Sequence, residues 1–141
     1  PIKNFSIDVN AMGRENANNA SNTDLLVIHG STDAPTVDVV ETGVGAGTII
    51  INASYGDFAG YLELPTADYT LEIRDESGQT TVASYEAPLS SLNLMGASAV
   101  VVASGFLNPT NNSNGEAFGL FVALPNGGDL VALPASKTAN F

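Results

Sequence analysis

Short apolar runs separated by turn-forming residues recur along the whole chain, and this pattern limits the fold most strongly. In residues 68–74 (DYTLEIR), for example, Tyr69, Leu71 and Ile73 alternate with polar residues. A period of two places alternate side chains on one face, as in a strand with one buried face. We find no convincing helical period and expect about nine or ten strands. The sequence therefore predicts an all-β fold, an immunoglobulin-like antiparallel β-sandwich with an N-terminal extension strand.

Two runs are rich in β-branched residues and stand out from the rest. Residues 48–53 (TIIINA) contain three consecutive isoleucines, which indicates a strand buried on both faces. Residues 97–103 (ASAVVVA) contain three consecutive valines, which favours a central strand of a sheet.

The start of the chain is separated from the rest by a polar tract. Four residues alternate with polar neighbours and predict a strand with one apolar face: Phe5, Ile7, Val9 and Ala11. The tract that follows (GRENANNASNTD) contains no apolar side chain larger than alanine, and the next apolar run begins at Leu25. We therefore divide the chain into an N-terminal donor strand (1–12), a flexible linker (13–24) and a β-sandwich domain (25–141).

An isolated strand is unstable in water, because its backbone groups and apolar side chains stay hydrated. Folding back as the first strand of its own sandwich is one solution, but it leaves a structureless loop of uncommon length. Insertion into another subunit supplies main-chain hydrogen bonds and side-chain pockets together. Each large apolar side chain so buried would contribute on the order of 1.5–3 kcal/mol.

Exchange of this strand between identical subunits has consequences for assembly. Donor and acceptor are different surfaces, so the contact propagates into a ring or a helical fibre. A flexible linker of about 12 residues reaches up to about 40 Å. We therefore also expect the strand to be able to bypass the adjacent subunit and enter one further along the fibre.

The charge balance disfavours two classes of partner. The chain has 15 acidic and 4 basic residues, a formal net charge of −11, which disfavours nucleic acids and anionic membranes as partners.

The composition and the start of the chain limit its chemistry and indicate processing. The chain has no cysteine, so disulfides and thiol chemistry are excluded. No apolar run approaches the roughly 20 residues of a transmembrane helix. Because the chain begins with proline, we interpret it as a processed product whose targeting segment has been removed.

The residues that could support catalysis favour a structural role. His29 is the single histidine, and Ser31, Asp33 and Asp38 lie near it in the sequence. A general base needs a nucleophile and an orienting partner within reach. His29 ends an apolar strand, however, so we expect a hydrogen-bonded structural histidine and no catalytic residue.

The carboxylates do not match a metal-binding pattern. Calcium would need several clustered oxygen ligands, and the candidates are Asp33 with Asp38 or Asp75 with Glu76. Neither pair has the spacing of a calcium-binding loop. No glycine-rich loop opens a helix, so a nucleotide site has no support either. We expect no metal and no cofactor.

Surface sugars are a further expectation. Four Asn-x-Ser/Thr triplets occur, at Asn4, Asn19, Asn52 and Asn111. Asn19 and Asn111 lie in polar loops and are the candidate sites for attached glycans.

Three ordered blocks resemble a known bacterial family. They are residues 27–39 (VIHGSTDAPTVDV), residues 53–71, which contain Tyr55-Gly-Asp-Phe58 and Tyr61-Leu-Glu-Leu-Pro65, and residues 99–105 (AVVVASG). Together they resemble family 4397 of the domains of unknown function over roughly residues 25–133, with Gly30 standing where that family usually has alanine. The resemblance implies a secreted or cell-surface bacterial β-sandwich, and it brings no catalytic residues.

These observations together predict a structural subunit of an extracellular, pilus-like bacterial fibre. Its partners would be identical subunits, joined by a mechanism that resembles the donor-strand exchange of bacterial pilins. The alternative is a monomeric cell-surface binding or adhesion module for a carbohydrate or protein ligand. That alternative is weakened because the chain has no tryptophan and only 4 tyrosines to stack on a sugar. A hydrolase is a distant third.

Overall fold

The computed structural model describes residues 4–136 and has nine strands over that range. The strands are β1 (Asn22–His29), β2 (Val37–Glu41), β3 (Gly47–Ala53), β4 (Phe58–Pro65), β5 (Asp68–Asp75), β6 (Thr81–Pro88), β7 (Ser98–Ser104), β8 (Gly119–Ala123) and β9 (Val131–Ala132). A short 3-10 helix, Pro109–Asn111, lies between β7 and β8. No helix within this range is long and apolar enough to cross a membrane.

The strands form two sheets that pack face to face. One sheet has five strands in the order β4-β1-β7-β8-β9, and the other has four in the order β3-β2-β5-β6. All neighbouring strands are antiparallel except β1 and β7, which are parallel. The predicted all-β, immunoglobulin-like sandwich is confirmed, and so is the central position of β7.

The core lies between the sheets and is built from the inward residues of each strand. In β5, Tyr69, Leu71 and Ile73 are buried as their alternation predicts. Val122 of β8 and Leu89, which follows β6, have no exposed surface. Full burial of an aliphatic side chain contributes about 1.5–3 kcal/mol, so this shared core stabilises both sheets at once.

The prediction that residues 48–53 are buried on both faces is wrong. Strand β3 is at the edge of the four-stranded sheet, and Ile51 is 69% exposed. The register with β2 shifts twice, between Val37 and Val39 and again between Val39 and Val40. A bulge adds a residue to one strand and turns the following side chains, so the isoleucine run does not present one continuous buried surface.

The two open sides of the sandwich differ in whether hydrogen bonds close the gap between the sheets. On the side where β6 and β9 are the edges, the chain closes the gap itself, since Glu86 N donates to Pro134 O and Ser136 N donates to Ser84 O, both at 2.9 Å. On the other side, β3 and β4 are the edge strands. They are joined by the short turn 54–57, in which Gly56 N donates to His29 O at 2.8 Å.

The segment predicted to be a flexible linker is bonded to the domain. Strand β1 begins at Asn22, three residues before the expected start at Leu25. Ahead of it, Asn16 forms an isolated antiparallel bridge with Ala97. The polar side chains that suggested solvation instead serve as hydrogen-bonding groups on the surface of the sheet, as detailed below.

Candidate functional site

The N-terminal arm, residues 4–12, extends away from the domain and is exposed throughout. Its large apolar side chains are solvated: Phe5 is 91% exposed, Ile7 78%, Val9 76% and Met12 80%. Ala11 is exposed as well. No hydrogen bond joins these nine residues to the rest of the described chain, and within them Met12 N donates to Asn10 Oδ1 at 2.9 Å. The arm therefore presents an unpaired apolar face.

Arg14 anchors the chain directly after the arm. Its backbone N–H donates to the Tyr61 hydroxyl at 2.8 Å, and its guanidinium lies 4.5 Å from the centre of the Tyr61 ring. The same guanidinium pairs with Asp24 and Glu63, each at 2.9 Å. These two carboxylates, that of Glu63 foremost, raise the pKa of Arg14. Stacking and charge pairing together fix this residue on the outer face of the five-stranded sheet.

Residues 15–18 form further hydrogen bonds with the sheet, including bonds to the start of β7. Ser98 N donates to Glu15 O at 3.1 Å, and Ala17 N donates to Gly96 O at 2.9 Å. Asn18 donates from its backbone to Asp24 at 2.9 Å and from its side chain to Glu63 at 2.8 Å. We call residues 14–18 the docking segment. It joins the start of β7 to β4, and Arg14, two residues after the arm, bonds to Tyr61 and Glu63 of β4.

Asp24 is the buried centre of this arrangement. Its side chain has no exposed surface, and its Oδ2 accepts from both Arg14 and Asn18. Its Oδ1 has no hydrogen-bond partner among the described residues. A buried carboxylate needs a paired cation, which makes Arg14 structurally necessary here.

An apolar seam runs along the side of the sandwich where β3 and β4 are the edges. Ile49 of β3 and Leu62 and Leu64 of β4 are partly buried and pack against the core. All three also line an apolar cavity of about 40 Å³ between the sheets. We call these three residues the seam. Its side chains are partly buried, and two of them belong to β4, the strand to which Arg14 bonds.

The sequence-predicted catalytic candidates do not form a nucleophile–base pair. His29 is buried, and its Nε2 lies 3.0 Å from the carbonyl oxygen of Pro35, which makes it the protonated nitrogen. Ser31 donates to Gly105 O at 2.7 Å and to Asp33 at 3.3 Å. Asp38 accepts from Asn52 N at 2.9 Å. Each group is engaged in connecting strands and loops, as the structural interpretation of His29 expects.

Asp33 connects two distant loops. Its carboxylate accepts from the backbone N–H groups of Leu107 and Asn108, both at 2.8 Å, and from the Asn112 side chain at 3.2 Å. Burial acts to raise its pKa, but these backbone bonds and the bond from Ser31 outweigh it and lower the pKa. A surface cleft of about 310 Å³ lies beside it, lined by Thr32, Asp33, Leu107, Asn108, Asn111 and Asn112.

The other predicted positions are dispersed over the surface. Within residues 4–136, no group of three or more histidine or acidic side chains is placed to hold a metal ion. Asp75 bonds to Ser77 in a turn. Asn19 and Asn111 are both exposed, so their positions are compatible with glycosylation, which stays a prediction.

The residues that sequence reasoning missed are those that anchor the arm. Tyr61 and Glu63 lie in β4, far along the chain from Arg14 and from Asp24 in β1, so these residues carry no local signal of a shared site. Arg14 is one of only 4 basic residues in the chain. A lone basic residue in a polar tract of a strongly acidic chain was a usable hint that the tract is attached to an acidic surface.

The comparisons with known proteins bear on the domain only. The model of a family described as "Domain of unknown function (DUF4397)" matches residues 23–112. This range contains all three blocks on which the resemblance was based, whereas residues 4–18, with the arm and the docking segment, lie outside it. No curated protein and no solved structure matches the chain.

Proposed function

We propose that this chain, which belongs to the family of domains of unknown function DUF4397, is a structural subunit of an extracellular bacterial fibre. In this proposal it polymerises by inserting its N-terminal strand into the β-sandwich of another copy. The single observation that supports this most is the exposed arm, whose apolar side chains find no partner in the described part of their own chain.

The anchoring of the arm adds to this argument. A disordered tail would have no reason to be fixed at its base, yet Arg14 is held by Tyr61, Asp24 and Glu63. An arm that starts from a fixed point loses less entropy on docking than one on a flexible linker, because its base is already positioned. The docking segment therefore supports presentation of the arm to a partner.

The chemistry of the arm fits an identical subunit. Strand addition gives affinity through main-chain hydrogen bonds and specificity through alternate side-chain pockets. Phe5, Ile7 and Val9 would fill such pockets, and Ser6 and Asp8 on the opposite face would stay in water. Exposed apolar groups of this size mark an interaction site in a soluble protein.

The extracellular, bacterial location belongs to the same proposal. It is supported by the family resemblance and by the presence of only 4 basic residues, which leaves few sites for trypsin-like proteases.

The test is assembly of the full chain with one face of the arm altered. The variant Phe5→Ser/Ile7→Ser/Val9→Ser removes the apolar face, and the matched control Ser6→Ala/Asp8→Ser changes the polar face of the same strand. Negative-stain microscopy should show fibres for the parent chain and the control, and dispersed subunits for the apolar-face variant. Fibres formed by the apolar-face variant would overturn the proposal.

The cleft beside Asp33 favours one second candidate, a binding module for a polar ligand such as a carbohydrate. Its asparagine side chains, Asn108, Asn111 and Asn112, offer amide donors and acceptors. A glycan array probed with the parent chain and with Asn111→Ala tests this. Binding that the Asn111→Ala variant loses would support the module, and an array without any bound glycan would speak against it.

A further inference from the structure

We infer that the arm of one copy adds to the outer edge of β4 in a second copy, with its apolar face over the seam of Ile49, Leu62 and Leu64. This inference rests on the proposed function and names the acceptor for it.

The two open sides of the sandwich differ in whether their strand edges are free to pair. The gap between β6 and β9 is covered by the chain's own residues, since Tyr85 pairs with Ala135 and Glu86 N donates to Pro134 O. Over residues 4–136, no backbone hydrogen bond occupies the outer edge of β3 or of β4. An edge with unpaired N–H and C=O groups is a template for another strand. The acceptor is therefore on the β3/β4 side.

Strands β3 and β4 differ in the regularity of their pairing with the neighbouring strand. Strand β3 has two register shifts within seven residues, and bulges protect an edge by twisting it away from a partner. Strand β4 has a single shift, and from Leu62 to Pro65 its register with β1 is unbroken. A regular edge can pair with several residues of an added strand in succession, so β4 is the better acceptor.

The spacing of the apolar side chains in the arm matches that of the inward side chains of β4. Along β4, Leu62 and Leu64 point towards the core, whereas Tyr61 and Glu63 face the docking segment. Side chains on one face of a strand repeat about every 6.8 Å, and the apolar residues of the arm repeat at the same interval. Phe5, Ile7 and Val9 can therefore cover the partly buried seam.

The spacer between the arm and its anchor limits how far away the acceptor can lie. Between the arm strand and its anchor at Arg14 lie only Met12 and Gly13, because residues 14–18 are docked. Two extended residues span about 7 Å, so the acceptor must pack directly against the donor. The short spacer therefore favours the adjacent subunit over one further along the fibre as the acceptor.

The experiment is a photo-cross-link in the full chain. Phe5 is replaced by p-benzoylphenylalanine, an aromatic residue of related shape at a position that is 91% exposed, so folding is preserved. This chain is assembled with ¹⁵N-labelled unmodified chains, irradiated, digested and analysed by mass spectrometry. The matched control carries the same probe at Leu130, which is 56% exposed in the β8–β9 loop.

The expected result is an adduct between the probe and labelled residues 47–53 or 58–65 that the Leu130 control lacks. Adducts to labelled β6, β8 or β9 in assembled fibres would overturn this inference and leave the proposed function intact. The same probe at Asp8, on the polar face of the arm, should react instead with the β4 face that contains Tyr61 and Glu63.

Assembly state separates the two proposals. A seam adduct within closed dimers would support the acceptor and overturn the fibre, because reciprocal exchange between two copies forms a closed assembly. An adduct exclusively within unlabelled single chains would overturn both proposals, since the arm would then be the edge strand of its own sandwich.

Discussion

Arg14 Nη1 lies 2.9 Å from Oδ2 of Asp24, a carboxylate with no exposed surface. The arginine side chain is 32% exposed, so the pair spans the boundary between the sheet and solvent. It fixes the chain two residues after Met12, where the arm ends. The docked start of the domain and the free arm thus meet at this ion pair.

Replacing Arg14 by methionine should destabilise the start of the domain. The Asp24 carboxylate would then retain one hydrogen-bond donor among the described residues, Asn18 N, and a buried carboxylate without its cation is strongly unfavourable. We expect a lower midpoint of urea unfolding and faster proteolysis within residues 13–21. The double variant Arg14→Met/Asp24→Asn should recover part of the loss, and equal midpoints for Arg14→Met and the parent chain would contradict the assigned role.

Substituting the arm's apolar face should leave the isolated subunit as stable as before. Phe5, Ile7 and Val9 are at least 76% exposed, and surface changes of this kind are usually worth within about 0.5 kcal/mol. Thermal unfolding of dispersed subunits, followed by circular dichroism, should give matching curves for the Ser triple variant and the parent. A markedly lower melting temperature for the variant would mean that the arm packs on its own domain in solution.

Truncating Leu89 should be far more damaging. Leu89 has no exposed surface, and Leu→Ala at such sites costs about 2–5 kcal/mol through lost burial and the cavity left behind. Leu130→Ala, at a position 56% exposed, is the matched control and should stay within about 0.5 kcal/mol of the parent. Urea denaturation checks both, and similar losses for the two variants would contradict the described core.

Acid should destabilise the domain through Glu41. Burial acts to raise the pKa of this carboxyl, but backbone N–H bonds from Thr70, Ala46, Val44 and Gly43 prevail and lower the pKa. Because its folded-state pKa lies below the unfolded value of about 4.3, this contribution is fully present above that pH. It is lost as the pH falls through the folded-state pKa.

The variant Glu41→Gln isolates this effect. It should cost about 1–3 kcal/mol at neutral pH, because the backbone donors lose a charged acceptor, and it should flatten the decline of stability between neutral and acidic pH. Glu76→Gln, which alters an exposed carboxyl, is the control and should keep the parent's slope. Urea midpoints measured across the pH range give both curves. Parallel curves for Glu41→Gln and the parent would exclude Glu41 as a source of the loss of stability at acidic pH.

Replacing Asp33 by alanine should loosen the β7–β8 loop without unfolding the sandwich. The backbone N–H groups of Leu107 and Asn108 would lose their acceptor, so their hydrogen exchange should accelerate. Asp129→Ala changes an exposed aspartate in another loop and should leave those two amides unaffected. Unchanged exchange in the Asp33→Ala variant would show that the loop is held by other contacts.

Local pattern was sufficient where each residue's environment follows from its neighbours in sequence. The alternation of Tyr69, Leu71 and Ile73 gave the correct strand and the correct buried face. The same reasoning failed for the isoleucines of β3, because hydrophobicity does not reveal whether a strand lies at an edge or contains a bulge. Edge position depends on the order of strands, which is a property of the whole sheet.

The sequence by itself determined the two-layer β class, the apolar face of the arm and the acidic surface, because each depends on composition or on a period of two. The tertiary structure alone decided that residues 14–18 are docked and where the arm leaves the domain. Arg14 bonds to Tyr61 and Glu63 in a strand far along the chain, and Ala17 bonds to Gly96, farther still. Such partners meet only after both sheets have formed, so no local pattern around residue 14 encodes them.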